Sequence, residues 1–168
     1  AYNCGKAYGP FSLRVVRDDG ELCQAGEVGT IHVQAPKIFR GFFNRLEDPD
    51  PQTRKAFTED GWLNMDDNGY LDEHGDIFVL GRKNDVITYG ASTLYPGWLE
   101  KKIMEYPDVE QACVVPVSDP VLYQNICACL KPVPGSDLKM SKLKEHCETI
   151  FVKHTHQGLA PVPQLFLV

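Results

Sequence analysis

Few residues in this 168-residue sequence have the type and spacing to do chemistry. Six cysteines supply thiols, at Cys4, Cys23, Cys113, Cys127, Cys129 and Cys147. None forms a C-x-x-C pair, so the spacing of a structural zinc site is missing. Cys127 and Cys129 lie two apart and would share one face of a strand. The thiols read as buried groups in a reducing, intracellular compartment. His154 and His156 lie in a polar stretch and read as solvated side chains. Asp67, within Met65-Asp66-Asp67-Asn68-Gly69, is a carboxylate able to accept hydrogen bonds from two neighbouring hydroxyls. Taken alone, that run is a solvated turn. Arg82 carries a planar fork of donors suited to oxygen acceptors, with a surface ion pair at a strand end as the alternative. Lys83 reads as solvated. No Ser–His–Asp arrangement and no metal-ligand cluster is legible, so no catalytic or metal residue is assigned.

Composition sets the limits around these groups. Hydrophobic residues make up 43% and charged residues 24%, the mix of a globular chain with a real core. A formal net charge of −6 argues against a general grip on nucleic acid, which needs surplus Lys and Arg. Apolar runs such as Ile77–Leu80 are far too short to span a bilayer. The sequence opens on Ala1 with no initiator Met and no signal pattern, as expected of a segment of a longer protein or of a processed start.

The elements that must position the polar groups follow from periodicity. The first half reads as β-rich, with strands at Ser12–Arg17, around Val28–Val33 and at Ile38–Phe43, and a short helix within Glu47–Phe57. Tyr70–Leu71 and Asp76–Leu80 form a hairpin across Asp72-Glu73-His74-Gly75, with Gly75 at the positive-φ position. After Gly81 strands and helices alternate. Val86–Thr88 is a short strand, and a helix runs from Pro96 to Pro107 on Tyr95, Leu99, Ile103 and Tyr106. Val109–Val117 and Ile126–Val133 are long strands, Leu138–Val152 is an amphipathic helix, and Gln164–Val168 begins a last strand. A boundary falls near Gly81–Asp85.

Five blocks then resemble one family in order. Gly26-Glu27-Val28-Gly29-Thr30-Ile31-His32-Val33 resembles the Gly-Glu-Leu strand region of the acyl-CoA synthetase and luciferase superfamily of adenylate-forming enzymes. Gly41-Phe42-Phe43-Asn44 is similar to its "G-Y-x-N" element. Asp60-Gly61-Trp62-Leu63, Asp67, Gly69-Tyr70 and Asp72-Glu73-His74-Gly75 resemble its "DGW-x-x-TGD-x-G-x-x-DEDG" block. Gly81-Arg82-Lys83-Asn84-Asp85-Val86-Ile87, Gly90 and Leu94-Tyr95-Pro96 resemble its "GR-x-KD-x-I…GG-x-x-IYP" hinge. Val114–Val117, Ser118-Asp119-Pro120 and Ile126–Leu130 resemble its "VVGVPDP…" strand pair.

The resemblance implies an α+β chain truncated at both ends. Residues 1–80 would be the β-rich, barrel-like end of the large adenylating domain, 81–85 the hinge, and 86–168 an incomplete, mobile α/β lid. It implies a fragment of an ATP-dependent carboxylic acid–CoA ligase, which forms an acyl-adenylate and then a thioester, as in fatty acid metabolism. ATP or AMP, Mg2+ and CoA would serve the parent, with a carboxylic (fatty) acid as substrate and no cofactor held tightly by this chain. Asp67 and Arg82 would contact the nucleotide, Asn84 would be the pivot, and Gly90 would lie on the loop approaching the pantetheine channel. The phosphate loop, acyl pocket and catalytic Glu would precede Ala1, and the adenylating lysine would follow Val168.

The chain departs from the pattern at Met65 (for Thr or Ser), Asp66 (for Gly), Ala91 (for the second Gly) and Tyr123-Gln124 (for Gly-Glu). A carboxylate added at Asp66 would repel phosphates. These departures motivate the alternative of a catalytically dead relative acting as a binding or regulatory module.

Overall fold

The computed structural model describes residues 2–42, 51–154 and 159–168. The chain divides into two compact units, Ala1–Asn84 and Asp85–Val168, of α+β architecture.

Unit 1 is one antiparallel sheet. Its strands are β1 (Tyr2–Asn3), β2 (Ser12–Val16), β3 (Gly29–Gln34), β4 (Leu63–Leu71) and β5 (Ile77–Arg82), in the order β1-β5-β4-β3-β2. A one-and-a-half-turn helix, α1 (Pro51–Ala56), precedes β4. Val15, Ile31 and Ile77 are the buried core, with Leu13, Val33, Leu71 and Val79 packed on them. Burying such a side chain contributes about 1.5–3 kcal/mol, so this small core is supported by its edges and turns.

The turn entering β4 is one such support. Arg14 on β2 makes a two-pronged contact with Asp60, at 2.6 and 3.0 Å, and its guanidinium lies 4.5 Å from the centre of the Trp62 ring. Arg14 Nε also donates to His32 Nδ1 on β3 at 3.3 Å. Burial, with the Arg14 charge adding to it, pushes the His32 pKa down, which suits a neutral acceptor ring. The Arg14 and Thr58 hydrogen bonds hold the Asp60 carboxyl at about 2.

Two expectations change here. No strand forms over residues 38–42, and Phe43 lies outside the described residues. Both edges of β3 are taken, by β2 and β4, so this stretch has no open ladder to join there. The Asp- and Asn-rich run 65–69, which reads as a turn, is the middle of β4. Register shifts and Asp66 at φ 54° absorb the irregularity. Of the helix expected within Glu47–Phe57, residues 51–56 are helical, and 47–50 lie outside the described residues.

Unit 2 packs two helices on a mixed sheet. A hairpin of β6 (Ile87–Tyr89) and β7 (Ser92–Leu94) leads into α2 (Pro96–Ile103). β8 (Val109–Asp119) and β9 (Tyr123–Pro132) form a long antiparallel pair. α3 (Met140–Phe151) follows, and β10 (Leu165–Leu167) lies parallel to β9. Ile87, Leu99, Ile103, Ile126, Leu143, Cys147 and Phe151 are fully buried, which fits the apolar stripes read on both helices.

Gly69 shows how tightly unit 1 is built. A Cβ there would stand 2.4 Å from the Phe78 carbonyl oxygen and 2.7 Å from Ile31 Cδ1. Gly69→Ala should therefore cost unit 1 about 1–3 kcal/mol, the usual range for overpacking. Urea unfolding followed through Trp62, with Trp98 replaced by Phe, checks this; an unchanged midpoint would refute the clash. A second expectation concerns acid. The Asp60 pKa is depressed from its ordinary 3.8, so its contribution is complete above that value and is lost as pH falls towards about 2. Melting temperatures of the wild type and Asp60→Asn should converge over that window and differ above it.

Candidate functional site

The site begins with strand register. Asp67 on β4 is the direct partner of Arg82 on β5 in an antiparallel pair, so their side chains emerge on one face. Arg82 Nε lies 3.5 Å from Asp67 Oδ1, and Arg82 Nη1 donates to the Met65 carbonyl at 2.9 Å. The Asp67 side chain is 23% exposed and that of Arg82 61%. An exposed pair contributes at most about 1 kcal/mol, so the backbone ladder rather than the ion pair holds the two groups together. A half-buried carboxylate can accept hydroxyl donors, and the guanidinium, engaged at Nε by Asp67 and at Nη1 by the Met65 carbonyl, keeps its remaining N–H groups for further oxygen acceptors.

The residues around this pair are anchored within unit 1. The Lys83 N–H donates to the Asp66 carbonyl at 2.8 Å. Lys83 Nζ meets Asp18 Oδ1 at 2.7 Å and Thr30 Oγ1 at 3.2 Å. Lys83 is thus a partnered group rather than the solvated one expected, and its hydrogen bond and charge hold the Asp18 pKa below its ordinary range. Sequence reasoning missed this contact because Asp18 and Lys83 lie 65 positions apart with no shared motif. Asn84, exposed in the turn after β5, is the last residue of unit 1.

Gly90 sits in unit 2, apart from that pair in the sequence and in a separate compact unit. It is the first residue of the two-residue loop between β6 and β7, at φ 58°, and donates to the Leu122 carbonyl at 3.0 Å. A Cβ on it would stand 3.0 Å from Leu159 Cδ1. Of this loop's two residues only Gly90 has positive φ, the pattern of a type II′ rather than a type I′ turn, which is why Ala91 can stand where the family pattern has a second glycine. Residues next to Gly90 line a cavity of about 330 Å³, among them Tyr89, Ala91, Leu94 and His154. His154 is exposed and packs edge-on against Trp98 at 4.8 Å, and His156 lies outside the described residues.

Two non-glycine residues among those described have positive φ, Asp66 at 54° and Tyr123 at 68°. Both stand where the family pattern carries glycine. Asp tolerates this region, whereas Tyr there is strained. Gln124, standing for the pattern's Glu, accepts the Thr88 N–H at 2.6 Å through Oε1 and ties β6 to β9. No group of three or more His, Cys, Asp or Glu side chains able to hold a metal ion occurs among the described residues. No helix there is long and apolar enough to cross a membrane.

Known proteins resemble this chain in sequence and fold. The profile of the AMP-binding enzyme C-terminal domain matches residues 99–165. The chain is 33% identical over 152 residues to a 2-succinylbenzoate–CoA ligase of Geobacillus, covering 90% of this chain and 30% of that protein. It is 30% identical over 149 residues to acyl-CoA synthetase 7 of Caenorhabditis elegans, covering 89% of this chain and 26% of that protein. A solved structure of o-succinylbenzoate CoA synthetase from Bacillus subtilis, in complex with its acyl-adenylate intermediate, aligns with a TM-score of 0.83 and 28% identity. That alignment covers 99% of this chain and 31% of the other. The chain therefore spans less than a third of the length of these relatives.

The strain reading has its own test. A non-glycine residue in the left-handed region costs about 1–2 kcal/mol, against about 0.5–1 kcal/mol of extra chain entropy lost by a glycine. Tyr123→Gly should therefore raise the stability of unit 2 by up to about 1 kcal/mol, and Asp66→Gly should leave unit 1 nearly unchanged. Chemical denaturation measures both; a clear loss in Tyr123→Gly would show that the exposed ring, not the backbone, governs that position.

Proposed function

The chain belongs to the adenylate-forming, AMP-binding enzyme superfamily as a C-terminal portion, and on that premise we propose that it is part of an ATP-dependent carboxylic acid–CoA ligase. The observation that carries this reading is the convergence of Asp67 and Arg82 on one face of β4 and β5, 3.5 Å apart. Asp67 accepts hydrogen bonds from the two hydroxyls of an adenosine ribose. Arg82 directs its free donors to the oxygens of the same nucleotide. ATP supplies the adenylyl group and CoA the thiol in the whole protein, with Mg2+ held elsewhere. A carboxylic acid, a fatty acid among the candidates, is the substrate.

In this reading residues 1–80 close the adenylating domain, 81–85 are the hinge, and 86–168 belong to the mobile lid. The ties from Lys83 to Asp18, Thr30 and Asp66 leave Asn84 as the first free position, which supports it as the pivot. Gly90 presents the β6–β7 loop to the pantetheine arm, and the neighbouring cavity is of a size to hold part of such a chain. Transfer of the adenylyl group needs charge-stabilising groups from the rest of the protein, so the 168-residue chain by itself carries out no ligation.

Asp66 favours a second reading, a binding or regulatory module that has lost catalysis. Its carboxylate adds negative charge beside Asp67, and its N–H is already given to Asn64 Oδ1 at 2.8 Å. That N–H is not free for a phosphate.

One titration separates the readings. In the full-length protein, Asp67→Ala should weaken AMP binding roughly 10- to 100-fold, the loss of about 1.5–3 kcal/mol of hydrogen bonding to a charged group. Asp66→Gly should tighten it. Calorimetry that finds AMP binding indifferent to Asp67 would end the ribose assignment, and no AMP binding in the wild type with recovery in Asp66→Gly would favour the dead module.

A further inference from the structure

The sheet of unit 2 has two chemically distinct faces. Val114, Ile126, Ala128 and Leu130 belong to the core with Leu99, Ile103, Leu143 and Phe151 of the two helices. Alternation sends Cys113 and Val115 of β8, Cys127 and Cys129 of β9, and Leu165 and Leu167 of β10 to the opposite face. Three of the six cysteines thus lie together on that face, outside the core that buries Cys147. All six are free thiols.

Register places Cys113 directly opposite Cys129, while Cys127 faces Val115. Three hydrogen bonds identify the kind of pair. The Val114 N–H donates to Glu100 Oε1 at 2.9 Å, away from β9. The Ile126 N–H donates to Asn125 Oδ1 at 2.8 Å, and the Ile126 carbonyl accepts from the Gln164 N–H at 3.1 Å, away from β8. Val114↔Ala128 and Pro116↔Ile126 are therefore pairs that exchange no backbone hydrogen bonds. Cys113↔Cys129, one step along the ladder, is a pair that does. In such pairs the Cα atoms stand about 5.5 Å apart, within the range of about 4.4–6.8 Å that a disulfide spans. Their Cβ atoms lie towards the far end of about 4.5–5.5 Å, so closing the bridge strains the pair and leaves the bond readily reduced.

Access completes the geometry. Cys113 is exposed, Cys129 half-buried, and Cys127 3% exposed. Among the described residues β8 pairs with β9 alone, at the edge of the sheet.

We propose that Cys113 and Cys129 are a redox-sensitive dithiol, a modification site that hydroperoxides close into a cross-strand disulfide. The exposed Cys113 sulfur attacks one peroxide oxygen, giving a sulfenic acid and releasing water. The Cys129 thiol then attacks that sulfur and displaces the second water. Two thiols and one hydrogen peroxide thus become one disulfide and two waters. The bridge fastens the outer strand β8 to β9. It leaves Asp67 and Arg82, in unit 1, untouched, and the proposal is independent of the ligase reading.

The test treats the purified chain with hydrogen peroxide, alkylates the remaining thiols, and cleaves after Tyr123 to separate Cys113 from Cys127 and Cys129. The expected product is a linked peptide pair two hydrogens lighter than the reduced pair, reversed by dithiothreitol, in a monomer with a raised melting temperature. Cys113→Ser and Cys129→Ser should each abolish the link, and Cys127→Ser should retain it. Phenylarsine oxide, which bridges two nearby thiols with loss of water, should load the reduced wild type and Cys127→Ser one to one but load neither of the other variants. Sulfinic acid at Cys113 without a link, a Cys127–Cys129 bridge, or a covalent dimer would overturn the proposal.

Discussion

The register between β4 and β5 is the constraint from which the candidate site follows. Side chains alternate with a period of two along a strand, so a slip of one residue would send Asp67 and Arg82 to opposite faces. The hairpin loop prevents that slip. Asp72 Oδ1 accepts the N–H groups of His74 and Asp76, at 2.9 and 2.8 Å, and Gly75 at φ 80° returns the chain into β5. At the far end, Arg14, Asp60 and Trp62 fix where β4 begins. Between these two fixed ends, the irregularity at Asp66 and Asn68 lets β4 bend without losing its pairing.

Ion pairs decorate this arrangement more than they create it. Arg82–Asp67, Lys83–Asp18 and Arg14–Asp60 each have at least one largely exposed partner, and such pairs contribute little net stability. What they supply is direction. Lys83 is held by two side chains and by its own N–H, so the end of β5 is fixed to unit 1 up to the residue before Asn84.

How much was legible in the sequence depends on the range of the interaction. Gly75, Pro96 and the Leu99–Ile103 spacing are local signals, and they marked the hairpin and α2 directly. The motif order brought Asp67 and Arg82 to notice, although the spacing of a turn-like run gave no sign that it was a strand. β4 was hidden because Asp, Asn and Gly are poor strand formers whose placement here is set by partners on both sides, a tertiary effect. The short strand β7 was hidden in the same way, since three residues carry too little periodicity to be read. The Lys83–Asp18 contact and the facing of Cys113 and Cys129 needed the folded register, which no single segment encodes.

The departures from the family pattern divide on physical grounds. Ala91 lies where the backbone needs no glycine, so its change is conformationally silent. Asp66 and Tyr123 lie where the backbone keeps the left-handed turn although the glycine is gone. The surrounding structure holds both turns, through the Lys83–Asp66 hydrogen bond and the Tyr89–Tyr123 pairing, and at Tyr123 it does so against residue preference. At Asp66 the consequence is electrostatic as well. Lys83 is paired with Asp18, and Arg82 is the cation paired with Asp67 among the described residues. An anion approaching this face meets the Asp66 and Asp67 carboxylates, and the nearer it passes to Asp66 the stronger that repulsion.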